Sequence, residues 1–375
     1  MTEAKELFRA LEFAHYAERF RDRVFVMALP GHAMFSELLL DFKVLEGYHI
    51  QLVLVTPDPD FALEEEIRQA NRRGSRFHLS LLTEMMGEGK GAALDYDRLR
   101  AMLAERRTPV IAHHLTTEAR GVPGAQSNAL AAQVAKALNA QKIFLTHPLT
   151  GQLRSLLPRS HTLASELQST LDALDGDLRA LEPTLRFIKT QLDEGLPDVV
   201  LVEGRAGELF QEVFTHDGAG LLFNQARTAL VRPAVLKDVT DVALLLRPEI
   251  ESGRILPVTE AQIESTLPDY LVYEIDGLLV GLARLKPYGQ WAELSQFSTL
   301  SRYRGKGRAR ELALSLIETA RTRGFARVFA LSVDARMWDF FTALGFNPIP
   351  REELPEAWRC KYDFNRPSRA FAKVL

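Results

Sequence analysis

The chain has 375 residues, 46 Lys+Arg against 49 Asp+Glu, a formal net charge of -3 and 46% hydrophobic residues. That length exceeds one ordinary hydrophobic core, so two packed domains are expected, and the near balance of charge excludes a global field suited to nucleic acid or to a membrane surface. A small-molecule partner fits better. The single cysteine, Cys360, leaves no intramolecular disulfide or zinc cluster, and Met1 to Phe20 mixes charged with apolar positions as neither a secretory nor a membrane-spanning segment does; a soluble protein of a reducing cytoplasm is expected.

Taken in chain order, Ala4 to Phe20 spaces its apolar residues as a helix, and Val24 to Leu29 is an apolar run that predicts a buried strand. Pro30-Gly31 ends that strand, a helix follows to Leu45, and Ile50 to Val55 predicts a second buried strand. The alternation continues with a helix at Tyr96 to Glu105, a strand at Thr108 to Ala112, a helix at Ala129 to Leu138, a strand at Lys142 to Thr146, a helix at Leu181 to Leu192 and a strand at Asp198 to Val202. This rhythm predicts an α/β domain with a mainly parallel sheet covered on both faces. The pattern changes after Phe223, which places a boundary near Asn224 and gives domains at 1–224 and 225–375. Beyond it, Asp276-Gly277 between two apolar runs predicts an antiparallel hairpin over Tyr270 to Arg284. A strand at Ala292 to Leu300, a glycine-containing loop, a helix to about Arg323 and a strand at Val328 to Val333 follow.

The loop Arg304-Gly305-Lys306-Gly307-Arg308-Ala309 between strand and helix suits an anion: its glycines let the backbone approach, and the free amides of a helix N-terminus meet negative charge. A plain helix entry has the same composition, and context separates the two. The loop resembles the pyrophosphate loop of the GNAT N-acetyltransferases, matched by Arg304, Gly307 and Ala309, with the hairpin before it and Phe340 to Phe346 after it in that family's order. The resemblance implies a GNAT α+β fold and acetyl-CoA as co-substrate, with Phe297 and Thr299 offering strand backbone to its pantetheine and no metal. Attack of an amine on a thioester needs a proton acceptor and a stabilised oxyanion. Glu293 stands where the family has its common general base; pairing with a substrate cation or a neighbouring arginine is the alternative. The family's usual general-acid tyrosine is replaced by Phe341, so another donor is needed.

The C-terminal segment supplies candidates. Arg359 to Ser368 combines cations and hydroxyls with Trp358, Tyr362, Phe364 and Phe371 around them, which argues for a packed segment over a solvated tail. Arginines suit bidentate recognition of carboxylates. The segment resembles the ending of the N-acetylglutamate synthases, matched by Tyr362, Arg366 and Ser368, with Asp363 and Arg369 departing from it. The resemblance implies Tyr362 as a catalytic hydroxyl, Arg359, Lys361, Arg366 and Ser368 as substrate-binding residues, and L-glutamate as acceptor in the first step of arginine biosynthesis. Another amine acceptor and a non-catalytic acetyl-CoA or amino-acid sensor are the alternatives.

The first domain resembles the amino acid kinases, through Tyr16 to Phe20, Asn128-Ala129, Val202 to Arg205, Glu212 to Phe214 and Asp217 to Gly220. That resemblance implies an αβα sandwich. Phosphoryl transfer needs positioned cations and backbone donors, yet the first strand has no lysine, and Thr56-Pro-Asp-Pro-Asp60 offers prolines and acids where phosphate needs amides. A catalytically degenerate domain with a regulatory and homo-oligomer-forming role is expected. The resemblance also implies L-arginine as effector, at Tyr16, Glu212 and Gly218. His113-His114 carries no chelate, because adjacent strand side chains point to opposite faces.

Overall fold

The structure, a computed structural model, describes every residue except 1, 58–60, 88–93, 114–124, 158–159, 197, 216–217, 226–228, 276–277 and 306. The hairpin turn Asp276-Gly277, the loop residue Lys306, His114, Asp217 and the acids and proline at 58–60 therefore lie outside the described residues. The chain divides into two compact units, Met1–Ala226 and Arg227–Leu375.

In the first unit, short apolar runs become strands buried on both faces, as a sheet sandwiched between helices requires. They are β1 (Val24–Ala28), β2 (Gln51–Pro57), β3 (Phe77–Leu81), β4 (Thr108–His113), β5 (Lys142–Thr146), β6 (His161–Leu163), β7 (Asp198–Val202) and β8 (Leu221–Asn224). Every residue of β4 and β7 is buried. The strand order is β3-β4-β2-β1-β5-β7-β8-β6, the doubly wound arrangement expected of an amino-acid-kinase-like αβα unit. One pair departs from the parallel expectation: β8 runs antiparallel to β7. Gly220 permits that approach, because a Cβ there would sit 2.3 Å from Val200 Cγ1 and 2.9 Å from the Leu201 carbonyl. The strands β6 and β8, of three and four residues, are too short to stand out from sequence, and β3 interrupts its apolar residues with His78 and Ser80. The boundary expected at Asn224 falls on the last residue of β8.

The second unit holds β9 (Ala229–Pro233), β10 (Tyr270–Ile275), β11 (Leu278–Tyr288), β12 (Trp291–Thr299), β13 (Arg327–Ser332), β14 (Asn347–Ile349) and β15 (Arg369–Val374), in the order β14-β15-β13-β12-β11-β10-β9. The sheet is antiparallel except at its centre, where β12 and β13 run parallel and pair only from Trp291↔Arg327 to Glu293↔Phe329. Beyond Glu293 the two strands part. The cause is a bulge: Gln296 adopts φ 53°, and the β11–β12 register shifts between Leu282 and Arg284. An extra residue on one strand twists it away from its neighbour. Helix Val239–Glu251, helix Arg308–Thr322 and helix Ala335–Ala343 complete the unit around the opening.

Candidate active site

The gap between the second half of β12 and β13 opens into a cleft of about 520 Å³. It gathers residues from six places in the chain. Glu293, Phe297 and Thr299 come from β12; Arg304, Gly305, Gly307, Arg308 and Ala309 from the loop and helix start; Tyr362, Arg366 and Ser368 from the segment before β15. Thus most of the expected site residues line one cavity. Among the described ones, two do not: Arg359 and Lys361 are exposed and stand outside the lining. They sit at the end of helix Glu356–Arg359 and just beyond it, and it is Trp358 that this short helix buries.

The loop builds an anion seat from backbone. Gly305 and Gly307 take φ of 72° and 79°, left-handed values that cost a residue with a Cβ about 1–2 kcal/mol. Gly307 caps helix Arg308–Thr322; its carbonyl accepts the amides of Arg310 and Glu311, and the amides of the helix's first two residues have no preceding helical carbonyl to meet. The positive end of the helix dipole adds to them.

The arginines are used differently from the sequence expectation. Arg304 donates through Nε to the Thr299 carbonyl and through Nη2 to Glu249 Oε1, each at 3.0 Å. Arg254 donates to the other oxygen of Glu249, so one carboxylate joins the anion loop to the opposite wall of the cleft. Arg308 is buried, donates to the Tyr303 carbonyl at 2.7 Å and lies over the Tyr303 ring; it braces the loop instead of projecting charge from it. Arg366 donates from Nη2 to the Gly253 carbonyl at 2.9 Å and to that of Arg254 at 3.3 Å, tying the C-terminal segment to the wall that carries Arg254. No spacing in the sequence signals Glu249 or Arg254, which meet the loop only through tertiary packing.

Glu293 ends the paired part of β12, where the cleft begins. Burial pushes its carboxyl above the ordinary carboxylate value, while Lys286, Arg284, the Trp358 indole and the Tyr288 hydroxyl favour the anion. Tyr288 is itself pushed up to about 12 by burial and by the neighbouring Glu293, so it stays a hydrogen donor at neutral pH. A carboxyl raised toward neutrality and facing a cleft is suited to general-base work. Tyr362 shares a hydrogen bond of 2.6 Å with Ser368 Oγ and stacks on Trp358. Phe341, in the place of the expected tyrosine, is buried in the cleft wall with Phe297. Lys286 and Tyr288 escaped the sequence reading, although their alternation on β11 puts both on the face of Glu293, since Lys286 pairs with it directly.

In the first unit, the three expected effector residues are closed around internal partners. Tyr16 is buried and stacks on Phe20. Lys142 lies over the Phe20 ring and donates to Glu212 Oε1 at 3.2 Å. Glu212 Oε2 accepts the amides of Ala219 and Gly220, each at 2.9 Å, and the preceding Gly218 takes φ 60°. Any cation that meets Glu212 must first displace Lys142. His113 is buried against Ser127. Among the described residues no cluster of three or more His, Cys, Asp and Glu could hold a metal ion, and no helix is long and apolar enough to cross a membrane.

Residues 240–346 match the acetyltransferase (GNAT) family. An amino-acid acetyltransferase from Neisseria meningitidis serogroup A is 30% identical over 239 residues, a segment that covers 63% of this chain and 54% of that protein. One from Aeromonas salmonicida is 26% identical over 260 residues, covering 66% and 58% respectively. The chain thus spans little more than half the length of these relatives. Among solved structures, N-acetylglutamate synthase from Neisseria gonorrhoeae, complexed with coenzyme A and L-arginine, superposes with a TM-score of 0.59 at 22% identity, over 97% of this chain and 98% of that one. Residues 240–346 of the second unit thus match the GNAT family, and the chain as a whole shares the fold of that N-acetylglutamate synthase, with an αβα unit of amino-acid-kinase-like fold ahead of a GNAT fold.

Proposed function

We propose that the protein transfers an acetyl group from acetyl-CoA to the α-amine of an amino acid, with L-glutamate as the acceptor and arginine biosynthesis as the setting. The observation that carries this reading is the cleft itself. A bulged strand leaves backbone unpaired, a glycine loop at a helix N-terminus faces the same opening, and a buried carboxyl with raised proton affinity stands where the strands part. Acetyl-CoA supplies the activated acyl group. Glu293 takes a proton from the acceptor ammonium, and the freed amine attacks the thioester carbonyl. Collapse of the tetrahedral adduct breaks the carbon–sulfur bond: Tyr362 gives a proton to the departing sulfur and is reprotonated by the second proton that the adduct nitrogen sheds, while Glu293 releases the first to solvent. Phe297 and Thr299 offer backbone to the pantetheine arm, and the amides at Gly305 to Ala309 seat the diphosphate, with Arg304 turning from Glu249 toward it.

A broader acceptor range is the second reading, favoured by the exposure of Arg359 and Lys361 and by the commitment of Arg366 to backbone carbonyls. In the first unit, an arginine effector site at Tyr16, Glu212 and Gly218 and a homo-oligomer belong to the same proposal, as does a reducing cytoplasm, which suits the exposed Cys360. The test is release of free CoA thiol from acetyl-CoA with each amino acid in turn, with and without L-arginine. Release with glutamate well above alanine supports the reading. Equal release with both removes the dicarboxylate preference, and acetyl-CoA binding without release with any acceptor points to a sensor.

A further inference from the structure

One carboxylate joins the two sides of the cleft. Glu249, in the last turn of helix Val239–Glu251, is 8% exposed. Its Oε1 accepts from Arg304 of the anion loop at 3.0 Å, and its Oε2 accepts from Arg254 on the opposite wall. An anion near a helix C-terminus meets the negative end of the dipole, so this carboxylate depends on its two cations. The backbone of Glu249 is committed to the same wall, its carbonyl accepting the amides of Arg254 and Ile255 at 2.9 and 3.1 Å. Gly253, at φ 72°, turns the chain between them. The carbonyls of Gly253 and Arg254 in turn hold Arg366, two residues before the Ser368 that bonds to Tyr362. A diphosphate arriving at the loop competes with Glu249 for Arg304, because a guanidinium serves phosphate and carboxylate alike. Once Arg304 turns away, Glu249 is left to Arg254, whose planar fork can close on both carboxylate oxygens.

We propose that Glu249 couples the two substrates: the diphosphate of acetyl-CoA takes Arg304, Arg254 closes on the released carboxylate, and the wall that anchors Arg366 tightens around the acceptor amino acid. This deepens the acetyltransferase reading and rests on it. Glu249 acts through the two arginines and takes no part in the chemistry, so it is a positioning residue. Coupling between sites is reciprocal, and a bound amino acid strengthens CoA binding by the same factor. The device favours filling the cleft with the acyl donor before the acceptor wall is set.

The experiment measures by calorimetry the dissociation constant of the amino acid that turns over fastest, alone, with saturating CoA, and with saturating pantetheine, which lacks the diphosphate. CoA without its acetyl group permits no turnover during the titration. Wild type is expected to bind the amino acid about tenfold more tightly with CoA, an ordinary size for coupling between sites, and to show no gain with pantetheine. In Glu249→Gln and in Arg254→Met the gain is expected to fall to about onefold while CoA still binds. A wild type that binds CoA yet shows no gain overturns the proposal and leaves the acetyltransferase reading intact. An equal gain with pantetheine also overturns it, placing the coupling in direct contact between the substrates, and this comparison needs no variant to fold. A gain retained in both variants overturns it as well. Wild-type protein that binds no CoA removes the acetyltransferase reading and this proposal with it.

Discussion

The rings of Trp358 and Tyr362 stack with centroids 4.2 Å apart and planes 23° from parallel, so the residue that favours the ionised Glu293 also fixes the hydroxyl on the other side of the cleft. Trp358 is 3% exposed and belongs to the small core with Phe329, Leu354 and Ala370. Trp358→Ala should lose about 3–5 kcal/mol of stability through the cavity it leaves, read from denaturant unfolding. Trp358→Phe keeps most of the bulk and removes the N–H. It should fold, and its activity profile should move to higher pH as Glu293 loses a group that favours its anion. A profile unmoved in Trp358→Phe contradicts the assignment.

The pH dependence of wild type has a definite sign. A general base works only when deprotonated, and burial raises Glu293 above the ordinary carboxylate value. The rate should therefore rise with pH through a midpoint above the ordinary carboxylate range and then level off. Lys286→Met should shift that midpoint further upward, because the largest opposing influence on Glu293 is its charge. A midpoint at or below 4.5 in kcat/KM would remove Glu293 from the proton-accepting role.

Arg304 is shared between the Thr299 carbonyl and Glu249. If it turns to the diphosphate, Arg304→Ala should raise the acetyl-CoA KM by about tenfold, and Glu249→Gln, which removes a competing charge, should lower it. Gly307→Ala should also weaken acetyl-CoA binding, because the left-handed cap at φ 79° strains a residue with a Cβ. The check is steady-state KM for acetyl-CoA at saturating acceptor. A rise in Glu249→Gln would show that the carboxylate holds Arg304 in place for the ligand.

Much of this arrangement was legible beforehand, and its limits have physical causes. Long periodic segments, such as the helix at Tyr96–Ala104 and the strand at Lys142–Thr146, appear where periodicity and β-branched content place them. The bulge at Gln296 left no mark, because its left-handed residue is not a glycine. Residue type suggested carboxylate binding for Arg359, Lys361 and Arg366, but side-chain direction governs that role: two of these point to solvent and the third to backbone carbonyls. Glu249 and Arg254 belong to a charge network formed across elements distant from the loop in sequence, which no local pattern records.

Lys142 and Glu212 form a buried pair in the first unit, with side-chain exposures of 10% and 0%. Removing one partner of such a pair leaves a buried charge without compensation and costs about 3–5 kcal/mol, more than removing both. Lys142→Met should therefore destabilise the protein strongly, and Lys142→Met with Glu212→Gln should recover part of the loss, since a glutamine oxygen can still accept the amides of Ala219 and Gly220. Thermal unfolding of the two variants decides this. A double variant no more stable than the single one would show that the amide bonds, not the ion pair, carry the effect.

The most direct test of the central claim compares CoA release by wild type and Glu293→Gln at saturating acetyl-CoA and L-glutamate, alongside the acetyl-CoA dissociation constant of each. The account predicts a loss of about 100-fold or more in kcat with acetyl-CoA affinity essentially unchanged. Glu293→Gln protein that turns over at the wild-type rate would contradict it, showing that the carboxyl at the parting of β12 and β13 is not the base.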